Sequence, residues 1–250
     1  MLTKLQAKYI QSLNEKKFRQ QEKVFVAEGP KIVKELLKEG RTALLALYTT
    51  EAWWQQAGND FQQSAGGKQQ LVTAQELEKI SFLTTANGML ALFAYPATGE
   101  PHFRDQITLV LDSIQDPGNM GTLLRIADWF GIGTIVAGAD SADVFNPKVV
   151  QSSMGSLARV QVQYELLLPF LQHHKEIPLV AATLHGTPLH HFKPPHEAFL
   201  LIGNESKGIG GELLALSAQQ ITIPRIGQAE SLNAAVAAGI ILSHLLPVGG

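Results

Sequence analysis

Apolar residues along this 250-residue chain fall into short continuous runs separated by stretches of helical period, and the rhythm changes once. Early on, VFVAEG (Val24–Gly29), ALLALYTT (Ala43–Thr50) and GMLALFAYP (Gly88–Pro96) have the length and composition of strands. Pro30 is placed as the first helical residue of a helix over Lys31–Lys38, and Gly40 closes it. A short helix is expected at Trp53–Ala57 and a polar loop over Gly58–Gln70, and QLVTAQELEKISF carries one more strand and helix. Together with a polar helical stretch at the start, residues 1–95 form a small α/β unit. Residues 96–106 (PATGEPHFRDQ) have the Pro/Gly-rich, polar character of a linker.

From residue 107 the pattern becomes a regular alternation. Strands are predicted at Ile107–Asp112, Thr134–Gly138, Ala158–Val162, Leu179–Thr183, Ala198–Gly203 and Gln220–Pro224. Helices are predicted at Asn119–Phe130, Pro147–Met154, Glu165–His174, Gly210–Leu216 and Ser231–Leu246. Apolar strands alternating with helices predict an α/β domain over 107–250, built on a parallel sheet covered on both faces.

Composition narrows the functions open to such a chain. Hydrophobic residues make up 45% and charged residues 17%, the balance of a globular protein, and the net charge of −2 excludes a chain that is basic throughout. A nucleic-acid partner must therefore be met by local patches such as Lys4, Lys8, Lys16, Lys17, Arg19 and Lys23. There is no cysteine, which removes disulfides, thiolate nucleophiles and Cys-ligated metal centres. The start of the chain lacks the apolar core of a signal peptide, and Ser231–Gly250 is interrupted by Asn233, Ser243, His244 and Pro247, so it reads as a buried helix rather than a membrane span. A cytoplasmic protein without a membrane partner is expected.

In a parallel sheet, ligands sit beyond the carboxyl ends of the strands. Three turns there are rich in glycine or polar residues: DPGNMGTLLR, GNESKGIGG and PRIGQAESLN. Three special turns on one edge predict a single composite site. None is a familiar nucleotide motif: Gly131-Ile132-Gly133 precedes a strand instead of following one, and Gly203–Gly208 lacks the Lys-Ser/Thr ending of a P-loop. His185, His190, His191 and His196 lie in a proline-broken segment without metal-ligand spacing, so no metal site is expected.

The three turns, in this order, resemble a known family. DPGNMGTLLRIADWFG, LLIGNESKGI and ITIPRIGQAESLNAAVAAGI are similar to motifs 1, 2 and 3 of the SpoU (TrmH-like) branch of the SPOUT RNA methyltransferases, and FNPKVVQSSMGSLARV between them is similar as well. The first 95 residues resemble the substrate-binding domain often attached to these enzymes, itself similar to an RNA-binding ribosomal protein. Gln151 stands where relatives often carry arginine. The resemblance implies a C-terminal domain with a deep trefoil knot, pairing as a homodimer through that domain, and transfer of a methyl group from S-adenosylmethionine to a ribose 2′-oxygen of RNA. The appended domain favours ribosomal over transfer RNA. It implies that Gly203, Asn204, Gly208, Ile223, Gly227 and Leu232 hold the cofactor, with Ile223 and Leu232 on either side of the adenine. Asn119, Arg125, Glu205, Ser231 and Asn233 would form the catalytic set.

Such a set suits the reaction. The methyl donor is already activated by its charge, so the difficulty is a weakly acidic hydroxyl that must be placed in line and lose its proton. A guanidinium stays protonated at ordinary pH, so Arg125 would favour the developing alkoxide, with Asn119 orienting it or the ribose. Lys4, Lys16, Lys17, Arg19, Lys148 and Arg159 are the candidate contacts to RNA phosphates.

Each site residue also has an architectural reading. Asn119 can be a helix N-cap, Arg125 a surface ion-pair partner and Glu205 an acceptor of turn amides, while Ser231 can cap the last helix with Asn233 in its first turn. Two other functions compete: a non-catalytic RNA-binding or ribosome-assembly factor on the same fold, and a nucleotide enzyme of another class, which lacks its fingerprint.

Overall fold

A computed structural model describes residues 1–246. The end of the expected 107–250 domain and of the Ser231–Gly250 segment, Pro247 included, lies outside the described residues. The chain divides into two compact units. One holds Met1–Gly99 together with Asp143–Arg159, the other Glu100–Ala142 with Val160–Gly250.

The first unit runs α1 (Lys4–Ser12), α2 (Lys16–Glu22), β1 (Val24–Glu28), α3 (Pro30–Glu39), β2 (Leu44–Thr49), α4 (Glu51–Gln56), α5 (Asn59–Ser64), β3 (Gln69–Leu71), α6 (Ala74–Ile80) and β4 (Met89–Ala94). The stretch expected as one basic helix is broken in two: a Thr3/Gln6 capping box starts α1, and α2 ends on Lys23 in the left-handed region. The sheet order is β1-β4-β2-β3, with β4 antiparallel to both neighbours and β3 parallel to β2. Ile10, Leu13, Val26, Tyr48, Leu77, Ile80 and Leu90 fill its core. Inside the expected polar loop Gly58–Gln70, a short helix forms because Phe61 packs edge-on against Trp53, ring centres 5.3 Å apart.

Residues 143–159 join this unit through two charge clusters. Arg19 is only 1% exposed and donates to the Asp143 carboxylate (2.5 Å) and to the carbonyls of Leu13 (2.8 Å) and Asn14 (2.7 Å). Arg159 pairs with Glu35 at 2.8 Å and Glu39 at 3.3 Å. Tyr95 stacks on Phe145 beside Asp143, and burial first, then that carboxylate, push its phenol up to about 12.

The second unit contains β5 (Ile107–Leu111), α7 (Pro117–Trp129) and β6 (Thr134–Gly138). After α8 (Pro147–Ser153), which lies in the segment just assigned to the first unit, come β7 (Gln161–Glu165), α9 (Leu167–His173), β8 (Leu179–Pro188), β9 (Ala198–Ile202), α10 (Gly211–Leu216), β10 (Gln219–Thr222) and α11 (Ala234–Leu245). The six strands are all parallel, in the order β10-β8-β9-β5-β6-β7. Val110, Val136, Ala181, Phe199 and Leu201 pack with Leu167 and Leu171 of α9 and Leu213 of α10. The strand expected at Ala158–Val162 starts at Gln161 instead, because Gly155 (φ +97°) leads into a tight turn over Ser156–Ala158. α7 and α11 pack together, with Gly239 of α11 facing Ile126 of α7.

β8 is longer than expected and interrupted. Gln219 and Gln220 of β10 pair with Val180 and Ala181, but Ile221 and Thr222 pair with Thr187 and Pro188. Residues 182–186 therefore arch out of the ladder. Gly186 is required at the return, since a Cβ would meet the Gln220 carbonyl carbon at 2.6 Å.

Candidate active site

The turns after β5, β9 and β10 meet through a chain of side-chain hydrogen bonds. Asn119 donates from Nδ2 to the Glu205 carboxylate, and Asn233 donates from Nδ2 to Asn119 Oδ1 at 2.8 Å. Because one carboxamide donates and accepts at once, its orientation is fixed by the two neighbours. Local structure holds each member. Asp116, not Asn119, is the N-cap of α7: its Oδ1 accepts from the Asn119 backbone N–H at 2.8 Å, with Pro117 at the first helical position. Asn233, not Ser231, caps α11, its Oδ1 accepting from Ala235 (3.0 Å) and Val236 (3.2 Å). Helix α11 thus starts three residues later than expected, which leaves Gly227–Leu232 free to line a cleft.

The Gly203–Gly210 turn is folded tightly on itself. Asn204 and Gly208 exchange two main-chain hydrogen bonds of 3.0 and 2.9 Å, and the Asn204 side chain accepts from the N–H groups of Ser206 and Lys207. A Cβ on Gly203 would stand 2.5 Å from the Gly208 carbonyl carbon, so only glycine fits; Gly208 itself lies at φ +70° with open space around it.

Beside these turns is a cleft of about 680 Å³. Gly203, Asn204, Gly208, Ile223, Gly227 and Leu232, the six residues named for the cofactor, all line it, as do Glu205 and Ser231. Its walls are largely apolar (Ile209, Leu214, Ile221), and the arch of β8 contributes Ala182, Thr183 and Leu184. A pocket of this size with apolar walls and a polar rim accommodates a nucleoside-sized ligand. Among the described residues no group of three or more His, Asp or Glu side chains is arranged to hold a metal, and no helix is long and apolar enough to cross a membrane.

Arg125 stands apart. It does not line the cleft; it lies on the exposed stripe of α7 with Thr122 and Trp129, six residues beyond Asn119 and roughly 9 Å along the helix axis. Among the described residues it has no hydrogen-bond or ion-pair partner, so the surface ion-pair reading does not hold, and neither does direct contact with Asn119. The basic residues divide as well. Lys4, Lys16, Lys17 and Lys148 are exposed, Lys17 pairing with Glu15. Arg19 must be withdrawn as a phosphate contact, because its guanidinium is buried and held by Asp143 and two carbonyls. Arg159 is half-buried and engaged by two glutamates.

Sequence reasoning missed Asp116, although Asp-Pro opening a helical run is a legible cap. It also missed Asp112 and Ser113 at the end of β5, whose bonds to Gly210 and Asn204 span ninety residues or more and leave no local signal.

Comparison with known proteins agrees with this arrangement. Residues 106–243, more than half of the chain, match the model of the SpoU rRNA Methylase family. The chain belongs to that family. Residues 4–91 match the MRM3-like substrate binding domain. An uncharacterized tRNA/rRNA methyltransferase of Synechocystis is 31% identical over 245 residues, 94% of this chain and 88% of that protein. The 23S rRNA (guanosine(2553)-2′-O)-methyltransferase of Bacillus subtilis is 38% identical over 143 residues, 55% of this chain and 56% of its own length. The solved structure of an AdoMet-bound rRNA methyltransferase from Sinorhizobium meliloti superposes with a TM-score of 0.85 at 27% identity, covering 98% of this chain and 95% of that one. The SpoU match contains all three turns and the whole Glu205–Asn119–Asn233 chain.

Proposed function

We propose that this SpoU-family protein methylates a ribose 2′-hydroxyl in structured RNA, with S-adenosylmethionine as donor and ribosomal RNA as the substrate class. The observation that carries the reading is the Glu205–Asn119–Asn233 chain, which joins three distant turns at the edge of the cleft. The AdoMet-bound Sinorhizobium relative supports the cofactor, and the name of the Bacillus relative supports both the 2′-oxygen and ribosomal RNA. The residues present fit the cofactor: Ile223 and Leu232 offer apolar surface for adenine, and the close-packed Gly203–Gly208 turn brings backbone groups to the cleft.

When bound, the sulfonium supplies an activated methyl group, so the chain's task is to orient and stabilise the attacking oxygen. Asn119, locked between Glu205 and Asn233, presents a fixed carboxamide. Arg125, unpartnered among the described residues, is free to hold the ribose oxygen and an adjacent phosphate and to stabilise negative charge as it develops. Since Arg125 lies outside the cleft of its own subunit, it acts on substrate in a homodimer formed through the second unit. Exposed Trp129 and Val236, on the packed pair α7 and α11, support that pairing surface. The family resemblance supports a trefoil knot in the C-terminal part of the chain. Exposed Lys4, Lys16, Lys17 and Lys148 support RNA contact by the first unit.

Calorimetry with S-adenosylmethionine, followed by transfer of labelled methyl to ribosomal and transfer RNA and mapping of 2′-O-methyl positions, tests the proposal. Binding and label in ribosomal RNA are expected. No cofactor binding would leave a non-catalytic RNA-binding factor as the reading.

A further inference from the structure

The loop Asn204–Gly208 carries Glu205, yet it is closed on itself and needs anchors outside to have a defined place. Besides Glu205's own bond to Asn119, two of its outside anchors meet at the end of β5. Asn204 Nδ2 donates to the Ser113 carbonyl oxygen at 2.8 Å, at the start of the loop. The Gly210 N–H donates to Asp112 Oδ2 at 2.7 Å, at its end. Ser113 itself sits at φ +58°, a conformation a serine rarely adopts. Its hydroxyl donates to Asp140 at 2.6 Å and lies 3.1 Å from Asp112 Oδ1, so its own side chain is tied to the same corner.

We propose that Asp112 is a positioning residue: by clamping Gly210, it sets the place of the Asn204–Gly210 loop, and through Glu205 the orientation of Asn119. Asp112 does not line the cleft, so it acts only through these neighbours. The effect on cofactor and catalysis rests on the function proposed above; the effect on the loop does not.

Two variants separate the possibilities. In Asp112→Ala, amide exchange at Glu205, Ser206 and Lys207 speeds up in the ligand-free protein, whatever the ligand is. The same variant weakens S-adenosylmethionine binding about ten-fold and lowers kcat similarly, the loss of a hydrogen bond to a charged acceptor, while KM for RNA stays unchanged. Asp112→Asn keeps an oxygen that can accept from Gly210 and restores most of both. Should Asp112→Ala not fold, Asp112→Ser, which is too short to reach Gly210, carries the same expectations.

Wild-type loop exchange in the alanine or serine variant overturns the proposal. So does an asparagine variant as impaired as alanine, or a rise in KM for RNA with kcat unchanged. If the wild-type protein binds no S-adenosylmethionine, the proposed function fails, and the exchange measurement alone decides the role of Asp112.

Discussion

Asn233 donates from its side chain to Asn119 Oδ1 at 2.8 Å, although 114 residues separate them. The bond joins the first turns of α7 and α11, which makes the edge of the cleft a product of helix packing and not of one loop. Asn119→Ala removes both the donor to Glu205 and the acceptor of Asn233, while the cap of α7 stays with Asp116. Methyl transfer should fall by about 100-fold or more, as for loss of an oriented polar group in a transition state. Thermal unfolding should move little. An equal loss of fold and activity would show the residue to be architectural.

Arg125→Ala should abolish transfer and leave S-adenosylmethionine affinity close to wild type, since the side chain is absent from the cleft. Lysine should not rescue it, because a point charge cannot reproduce the planar fork of a guanidinium. Full activity in the alanine variant removes Arg125 from the mechanism.

Two glycines in one turn should respond very differently to alanine. At Gly203 the added carbon would stand 2.5 Å from the Gly208 carbonyl carbon and 2.6 Å from the Ile209 nitrogen, so the turn must open and cofactor binding be lost. At Gly208 there is room, and the cost is the left-handed backbone alone, about 1–2 kcal/mol. Calorimetric titration of both variants checks the ranking.

Arg19→Met leaves the Asp143 carboxylate and two carbonyls without their buried partner. A loss of about 3–5 kcal/mol in urea unfolding is expected, the usual cost of breaking one side of a buried pair. A surface arginine would change stability by well under 1 kcal/mol.

Burial of Glu28 raises its carboxyl above the ordinary value of 4.5, outweighing the hydrogen bonds from Ser81 and Phe82 that pull it down. Above pH 4.5 the unfolded chain ionises while the folded one resists. The stability this group contributes is thus full below 4.5 and lost as pH rises through the higher folded value. Glu28→Gln should gain on wild type as pH climbs through that window, as read from melting temperatures of the two proteins in parallel.

Elements buried on both faces were the legible ones. β6 falls where its apolar run predicts, and β5 and β9 end one residue early. The helix of DPGNMGTLLR follows from its period, though it starts at Pro117, two residues before its expected start, because Asp116 caps it. The strand and helix expected in QLVTAQELEKISF are both present, as β3 and α6, but what backbone pairing alone holds was not legible: the end of β8 returns to the ladder only after its arch. Arg19 looks like its neighbouring lysines until Asp143, 124 residues on, is placed beside it. The site shows the same limit. Residue types and turns were readable, but the hydrogen bonds linking Asn119, Glu205 and Asn233 are long-range. The displacement of Arg125 from the cleft depends on the rotation of α7, which no motif records.

The grouping of Asp143–Arg159 with the first unit has a consequence for chimaeras between relatives. Joining one protein's reading module to another's transferase at residues 96–106 would strand this insert in a foreign host, with Asp143 facing no guanidinium and Arg159 no glutamates. A working hybrid would have to carry both pieces of chain together, so the exchangeable cassette is Met1–Gly99 with Asp143–Arg159 rather than the residues before the linker alone.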